Sequence, residues 1–509
     1  MKSLLRVDIS QPWPLHSVHA TRALESQCAN QLPSHTLMQR AGLATARLAL
    51  ALAPHAQTFW IACGPGNNGG DGLEVAIHLH RWGKHPIVTF IHGAQGMPVD
   101  AAISLERARA AGVGFSADIP TRFDFGIDAL LGIGFSLEQK TKVNKQAQLL
   151  RIQSCLDRLN DGHAPLLSVD VPSALEADTG YCVADFRYPP DQLKVRQERH
   201  TLSLLTLKPG LFTGFGRDRA GQVWFDDLEA GCPSSTAVKP VAILGGAWPG
   251  PTQRPHASHK GMWGDVAVVG GAEGMVGAAW LAASGALHGG AGRVFVSLLS
   301  TEPGPAPACT DARPMQPDFM MRKADQLAWP DLSVVCGCGA GEQVRHLLPE
   351  ILFRAKQLVL DADALNCIAR DSTLQNLLTV RARRQLATVL TPHPLEAARL
   401  LGIDTQAVQT NRLQAAQTLA QQTGCVTLLK GSGTVIAAPG QPSVINPSGN
   451  ARLAIGGTGD VLAGLIGALL ASGRTPMDAA CAAAWQHGHV ADHWPDNITM
   501  TATALARRL

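Results

Sequence analysis

Short apolar runs alternate along most of this chain with stretches whose apolar positions recur at helical spacing, the signature of a parallel sheet covered by helices. In the first half the runs predict strands over 58–62, 87–91, 125–130, 166–171 and 202–206, preceded by helical spacing over 19–50 that breaks near Pro33. Over 231–261 the pattern dissolves into Gly, Pro, Ser and Thr, with Pro233, Pro240, Pro249, Pro251 and Pro255, which reads as a linker region with a boundary near residue 240. The alternation then restarts with strands over 266–269, 293–298, 333–335, 358–360 and 388–390. A hairpin over 426–438 follows, suited to an antiparallel edge. The 276–287 stretch is rich in Ala and Gly and predicts a closely packed helix. At 509 residues the chain exceeds what one core usually organises, so the expected plan is a domain over 1–235, a linker over 236–244 and a domain over 245–509.

Two glycine-rich turns each follow an apolar run and open a helical pattern, so each can aim backbone N–H groups at an anion. In Cys63-Gly64-Pro65-Gly66-Asn67-Asn68-Gly69-Gly70-Asp71-Gly72, the glycines at 64, 66 and 69 match the dinucleotide fingerprint in form. That fingerprint also needs an acid about 20 residues on. Thr89-Phe90-Ile91-His92 stands there instead, so an ordinary NAD site loses most of its weight, while Asn67, Asn68 and Asp71 add polar groups that a structural turn rarely needs. In Ile455-Gly456-Gly457-Thr458-Gly459-Asp460, a carboxylate sits at the first turn of an apolar helix among N–H donors, which suits a base for phosphoryl transfer. A helix cap is the alternative, but it does not account for the three glycines before Asp460.

Other strand ends carry chemistry. Asp128 and Asp170 close two predicted strands of the first half, each readable alone as a helix cap, and together with the Asn-Asn turn they favour a site. The second half adds Asp361-Ala362-Asp363-Ala364-Leu365-Asn366, Thr391-Pro392-His393-Pro394-Leu395-Glu396 and the small-residue turn Lys430-Gly431-Ser432-Gly433-Thr434. A lone His393 is more often a hydrogen-bonded structural histidine than a catalyst.

Leu37-Met38-Gln39-Arg40-Ala41-Gly42, the 64–72 turn, 128–134 and 168–180 resemble, in order and spacing, the NAD(P)H-hydrate epimerase domain, a Rossmann-like three-layer sandwich. The resemblance implies a potassium ion (K+) held by Asn68, Asp128 and Ser173. It also implies a hydrated nicotinamide contacted by Asn67, Asn68, Gly69, Gly70, Asp71, Gly132, Ile133, Gly134 and Asp170, with Asp170 as acid/base. Lys208, before Pro209-Gly210 at a late strand end, has two readings, facing the same pocket or solvated, and the solvated one is preferred. Departures from the family pattern are Gln39 for Glu and Ala174-Leu175-Glu176 for Gly-Leu-Asp, where Ala174 bears on the shape of that turn.

The second half resembles the ribokinase-like superfamily, and within it the NAD(P)H-hydrate dehydratases, through the motifs above with Ser258-His259-Lys260-Gly261, Gly270-Gly271, 337–341 and His487-Gly488. The resemblance implies Lys430, Gly431, Ser432, Gly433, Thr434 and Gly459 for the adenine nucleotide. Gly339, His393 and Asp460 would hold the hydrated cofactor, with Asp460 as base and Glu396 ordering water on Mg2+. Cys338 and Ala340 keep the small-residue logic of 337–341, whereas Leu395 stands where Gly is usual and would narrow the pocket.

The implied activity is repair of hydrated NADH and NADPH (NADHX and NADPHX): epimerisation of the R and S forms, and dehydration of S with ADP as co-substrate. The rival reading is a vitamin-precursor or sugar kinase fused to a non-catalytic Rossmann-like module. Composition narrows the partners. A net charge of +3 with 16% charged residues and no basic, aromatic-interleaved block argues against nucleic acid. No run of about 20 apolar residues suggests a bilayer span, and nothing at the start reads as a signal peptide. Eleven cysteines without framework spacing, and Cys336-Gly337-Cys338 without a second pair, point to reduced thiols and a cytoplasmic enzyme. Self-association into a homo-oligomer is left open.

Overall fold

The structure is a computed structural model that describes residues 4–92, 96–134, 146–182, 197–230, 238–248, 254–299 and 316–509. Of the predicted linker region, 231–237 and 249–253 lie outside these residues. The chain divides into two compact units whose boundary falls between Ala242 and Ile243, with Ile9–Pro12 counted in the second. Part of the expected linker is therefore ordered: Ala242–Leu244 is a strand, and Ala242 and Leu244 are buried.

The first unit is a Rossmann-like α/β fold. Its sheet runs Leu5–Arg6, Gln222–Asp226, Arg199–Leu204, Leu166–Val169, Phe125–Ala129, Thr58–Cys63, His85–Phe90, Gly114–Phe115. All neighbours are parallel except Leu5–Arg6 against Gln222–Asp226. Thr58–Cys63 lies between Phe125–Ala129 and His85–Phe90, so the chain order reverses beside its carboxyl end, the place where open α/β sheets hold ligands. The predicted break at Pro33 separates helices Val18–Ala29 and Thr36–Leu52. Gly42 lets the second of these lie against helix Asn67–Arg81, because a Cβ there would stand 2.3 Å from that of Glu74. The expected strand over 202–206 begins earlier, at Arg199. The short strands Leu5–Arg6 and Gly114–Phe115 lack an apolar run long enough to predict them.

The second unit is ribokinase-like. Its sheet runs Phe319–Met321, Arg293–Leu298, Asp265–Gly270, Ser333–Cys336, Gln357–Leu360, Ala387–Leu390, Val426–Leu429, Val435–Ala437, Ser443–Ile445. The strands are parallel as far as Val426–Leu429 and antiparallel beyond it, so the predicted hairpin exists but gains a third strand rather than forming the edge. The reversal here lies between Asp265–Gly270 and Ser333–Cys336.

Eight described cysteines are free, all but Cys182 buried, as expected of reduced thiols; Cys28 departs from that expectation and is disulfide-bonded. Among the described residues no helix is long and apolar enough to cross a membrane.

Helix Val276–His288 packs against helix Thr458–Ala471 through the small residues the sequence pointed to. A Cβ on Gly285 would lie 2.2 Å from the Val461 carbonyl oxygen, and one on Gly464 would lie 1.9 Å from that of Ala282. These carbonyls belong to helices and cannot swing away. Gly464→Ala is therefore expected to destabilise the second unit by about 2–4 kcal/mol, the range of overpacking and backbone clash. Urea unfolding followed by fluorescence checks it: a transition unchanged in midpoint would show that the helices separate freely.

Candidate functional sites

At the reversal of the first sheet lies a cavity of about 730 Å³ lined by Asn67, Asn68, Asp71, Gly132, Ile133, Gly134 and Asp170, together with Arg22, Glu25 and Asp100. Helix Asn67–Arg81 starts directly at its wall after Gly66, with no side-chain cap. Gly69 and Gly70 are buried behind that wall: a Cβ on Gly69 would meet the Gly64 carbonyl oxygen at 1.8 Å, and one on Gly70 would meet Met38 Sδ at 2.6 Å. The first is backbone on backbone, which explains a glycine there without any ligand.

Asp128 and Ser173 come together. Ser173 Oγ donates to Asp128 Oδ1 at 2.6 Å, Ser173 N to Oδ2 at 2.9 Å and Leu130 N to Oδ1 at 3.2 Å. Burial raises the Asp128 pKa against these hydrogen bonds. Asn68 is buried with its Nδ2 unpartnered, and Gly132 lies against its side chain, where a Cβ would come within 3.1 Å.

Asp170 lies just past strand Leu166–Val169 with φ +64°, a conformation that aspartate tolerates better than most residues. Its Oδ1 accepts from Leu204 N at 3.0 Å and is ion-paired with Lys208. The reading of Lys208 as solvated is corrected: it is fully buried, and its ammonium also donates to Leu204 O at 2.8 Å and Ser203 Oγ at 3.3 Å, three acceptors for three N–H bonds. Asp71 has its pKa raised well above the ordinary value by burial and by Asp170, Glu25, Glu74 and Asp100. No local pattern marked a neighbouring buried cluster in which Glu74 accepts from Arg107 Nε at 2.9 Å and Ser104 Oγ at 3.2 Å and lies 3.0 Å from His35 Nε2. Ala174 takes φ +67° with its methyl buried, so the turn keeps a glycine-like shape at a cost in strain.

In the second unit, ligand atoms of Cys338, Asp361 and Asp460 lie within 4.8 Å of one another. Asp460 sits in the first turn of helix Thr458–Ala471, whose N-cap Gly457 has φ +90°. Burial, then Asp361, raises its pKa to about 7. Lys430 Nζ donates to Asp361 Oδ1 at 2.8 Å; burial alone would lower its pKa, but Asp361 and Glu396 outweigh burial and raise it. A Cβ on Gly459 would lie 3.4 Å from that ammonium, so the bare backbone leaves it room. Gly431 and Gly433 have φ +140° and +59°, and Arg412 from the preceding helix Arg412–Thr423 donates to the carbonyls of Leu429 and Lys430 at 3.2 and 3.1 Å, fixing the turn that also carries Ser432 and Thr434. Nothing in the sequence pattern marked this buried arginine.

Gly337, Gly339 and Gly341 all have positive φ, which explains that spacing, and Gly341 N donates to Asp363 Oδ2 at 2.8 Å. His393 caps helix Pro394–Leu401: its Nδ1 accepts from Leu395 N and Glu396 N, while Nε2 lies 3.1 Å from Glu396 Oε1. Both ring nitrogens are thus used locally. Burial would raise Glu396, but the His393 hydrogen bond and Lys430 outweigh it and lower its pKa. Leu395 is 43% exposed beside this cap. His487, lowered to about 4 by burial, hydrogen-bonds Thr458 O at 3.0 Å and braces the Asp460 turn.

Two α/β units, each with carboxylates, a lysine ion-paired to one of them and a bare helix N-terminus beside its sheet, define a two-site enzyme of the nucleotide-handling class. Comparison with known proteins narrows this. Residues 266–509 match the family model described as NAD(P)H-hydrate dehydratase, and 34–210 match the YjeF-related protein N-terminus. The chain is 37% identical over 478 residues to the bifunctional NAD(P)H-hydrate repair enzyme Nnr of Escherichia coli, covering 91% of this chain and 85% of that one. It is 42% identical over 264 residues to the ADP-dependent (S)-NAD(P)H-hydrate dehydratase of Neisseria meningitidis, covering 50% of this chain and 84% of that one. A solved ADP/ATP-dependent NAD(P)H-hydrate dehydratase from Bacillus subtilis, co-crystallised with ATP and Mg2+, is 29% identical and superposes with a TM-score of 0.41, covering 50% of this chain and 90% of that one. The chain belongs to the family of bifunctional NAD(P)H-hydrate repair enzymes, with isomerase and lyase activities.

Proposed function

We propose that the Asp170 cavity, within residues 1–235, interconverts the R and S hydrates of NADH and NADPH. The Asp460 site, within 245–509, dehydrates the S form at the expense of ADP in the cytoplasm, giving the reduced dinucleotide, AMP and phosphate. The observation that carries this reading is the Asp460 carboxyl, poised near neutrality beside Lys430 at a bare helix N-terminus. In the hydrate a hydroxyl sits on the ring carbon next to nitrogen. Asp460 takes the proton of that hydroxyl as its oxygen attacks the terminal phosphorus of ADP, and the helix N–H groups and Lys430 face the charge on the transferring oxygens. The ring nitrogen's lone pair then expels phosphate, and loss of a proton from the neighbouring carbon restores the dihydropyridine.

Glu396, ionised and buried, fits the ordering of water on Mg2+, an ion that keeps several waters and takes few protein carboxylates. When bound, Mg2+ would neutralise phosphate charge. Asn68, Asp128 and Ser173 fit potassium: each offers an oxygen, the buried Asp128 carboxylate accepts, among the described residues, from the neutral Ser173 and Leu130, and the Asn68 amide, whose Nδ2 has no partner among them, can turn its oxygen inward. A monovalent cation would supply the missing countercharge. In the first cavity, reversal at the carbinol carbon needs proton transfer, which Asp170 serves.

Three outcomes test the reading. With an R/S mixture of hydrated NADH, ADP and magnesium, Asp460→Asn should drop formation of reduced nucleotide by about 10²–10⁴-fold. Asp170→Asn should consume the S fraction at the wild-type rate and then stall, and mixing the two variants should restore full conversion. A single-phase loss in Asp170→Asn would overturn the division of labour. The dehydration pH profile should show kcat/KM rising with pH to an inflection near 7, because the base is protonated and idle below that value. A profile flat from pH 5 to pH 8 (about one unit or more either side) would remove Asp460 from the base role. Replacing potassium by a bulky organic cation should slow epimerisation and spare the S-specific step, and equal loss of both would remove the ion from the first site.

A further inference from the structure

Resting on the reading of the first cavity as the epimerase site, we infer that Asp71 is a second catalytic residue there, the proton donor that complements Asp170. Both side chains line the one cavity. They differ in what surrounds them. Asp170 is paired with the buried Lys208 ammonium, whose three N–H bonds all find acceptors. Asp71, on the second turn of helix Asn67–Arg81, is buried within the influence of four other acids: Asp170 at the strand end, Glu25 on helix Val18–Ala29, Glu74 on its own helix and Asp100 on helix Val99–Ala110.

The nearby cations are largely engaged elsewhere. Lys208 is held by Asp170, Arg107 is paired with Glu74, and His35 lies between Glu74 at 3.0 Å and Asp100 at 3.6 Å; Arg22 remains on the cavity wall. Burial, and after it the neighbouring acids, makes Asp71 hold its proton more tightly than a free carboxyl does. Asp71, which holds its proton, and Asp170, whose Oδ1 accepts from Lys208 and Leu204 N, form an acid/base pair across one pocket.

The step then balances without an added oxidant or reductant. Asp71 gives its proton to the ring hydroxyl, the carbon–oxygen bond breaks, water leaves, and the ring nitrogen's lone pair forms a carbon–nitrogen double bond. Water adds to the opposite face, its oxygen bonds to carbon, the pair returns to nitrogen, and the proton goes to Asp170. Exchange with solvent resets both carboxyls.

The test follows interconversion of R and S hydrated NADH by NMR with the full-length protein and no ADP. Asp71→Asn keeps the size and polarity of the side chain but has no acidic proton. It should lower kcat by about 10²–10⁴-fold with KM changed only a few-fold. The wild-type fall in kcat at alkaline pH, where Asp71 loses its proton, should vanish from the residual rate. Undiminished ADP-dependent dehydration of the S form by the same variant shows that the chain is folded. A raised KM with kcat retained, or an alkaline fall that persists, overturns the proposal and leaves the cavity's assignment standing. Wild-type protein that leaves the hydrates unequilibrated overturns the assignment and the proposal with it. Should Asp71→Asn fail to fold, Asp71→Glu decides the matter: partial activity with a displaced alkaline limb supports the donor role, and full activity with the wild-type limb overturns it.

Discussion

Backbone pressed on backbone at the reversal of each sheet sets the geometry of both sites. In the first unit a Cβ on Gly64 would lie 1.8 Å from the Leu130 carbonyl oxygen, and one on Gly69 would lie 1.8 Å from that of Gly64. In the second, a Cβ on Gly270 would meet the Cys338 carbonyl oxygen at 2.3 Å, and one on Gly337 that of Asp361 at 1.9 Å. Only glycine permits such approach. The loops leaving adjacent strands are thereby drawn together. In the first unit this brings Asn68, Asp71 and Asp170 to one crevice, and in the second it brings Cys338, Asp361 and Asp460 within reach of one another. A bulkier residue at any of these glycines would move a loop, and with it a carboxylate.

The two units also share an electrostatic pattern although their motifs differ. Each sets a lysine against one carboxylate, the buried Lys208 with Asp170 and the half-buried Lys430 with Asp361, and leaves a second acid, Asp71 or Asp460, with its pKa raised. The lysine supplies the charge that makes the first carboxylate tolerable in a poorly solvated pocket. The second acid, lacking a full partner of its own, is brought toward the range where protons move at neutral pH. Proton transfer at a carbinol carbon and attack by a hydroxyl on phosphorus are different reactions, yet both need a carboxyl whose proton is available or removable near neutrality.

How much of this could be read from the chain follows from what kind of contact each feature makes. The glycine turns and strand-end acids were legible because they are local: strand, turn and helix start lie within a dozen or so residues. Lys208 was misread because its partner Asp170 is 38 residues away, and a single lysine before Pro-Gly looks solvated when its acceptors are unseen. Glu74 was missed for the same reason, since Arg107, Ser104 and His35 come from other segments of the unit. Leu395 sits within a capping box formed by His393 and Glu396 that sets the helix start, a local pattern, and its side chain is part-exposed there. Ala174 shows the reverse case: the turn keeps positive φ without glycine, because the surrounding apolar cluster holds its methyl.

On the proposed reading, the two reactions need each other for a thermodynamic reason. Epimers at one ring carbon have similar free energies, so an epimerase has almost no driving force and can only restore a balance between R and S. Dehydration coupled to cleavage of ADP runs downhill and removes S alone. The S-specific site therefore draws R through the epimerase by mass action, whatever the distance the hydrate travels between them. This places different demands on the two pockets. The phosphoryl-transfer site must discriminate between the epimers, which calls for rigid elements such as the three positive-φ glycines at 337, 339 and 341 and the Arg412-braced turn. The epimerase cavity must accept both, and Gly132 and Gly134, with no side chains to favour one configuration, leave its wall open to either.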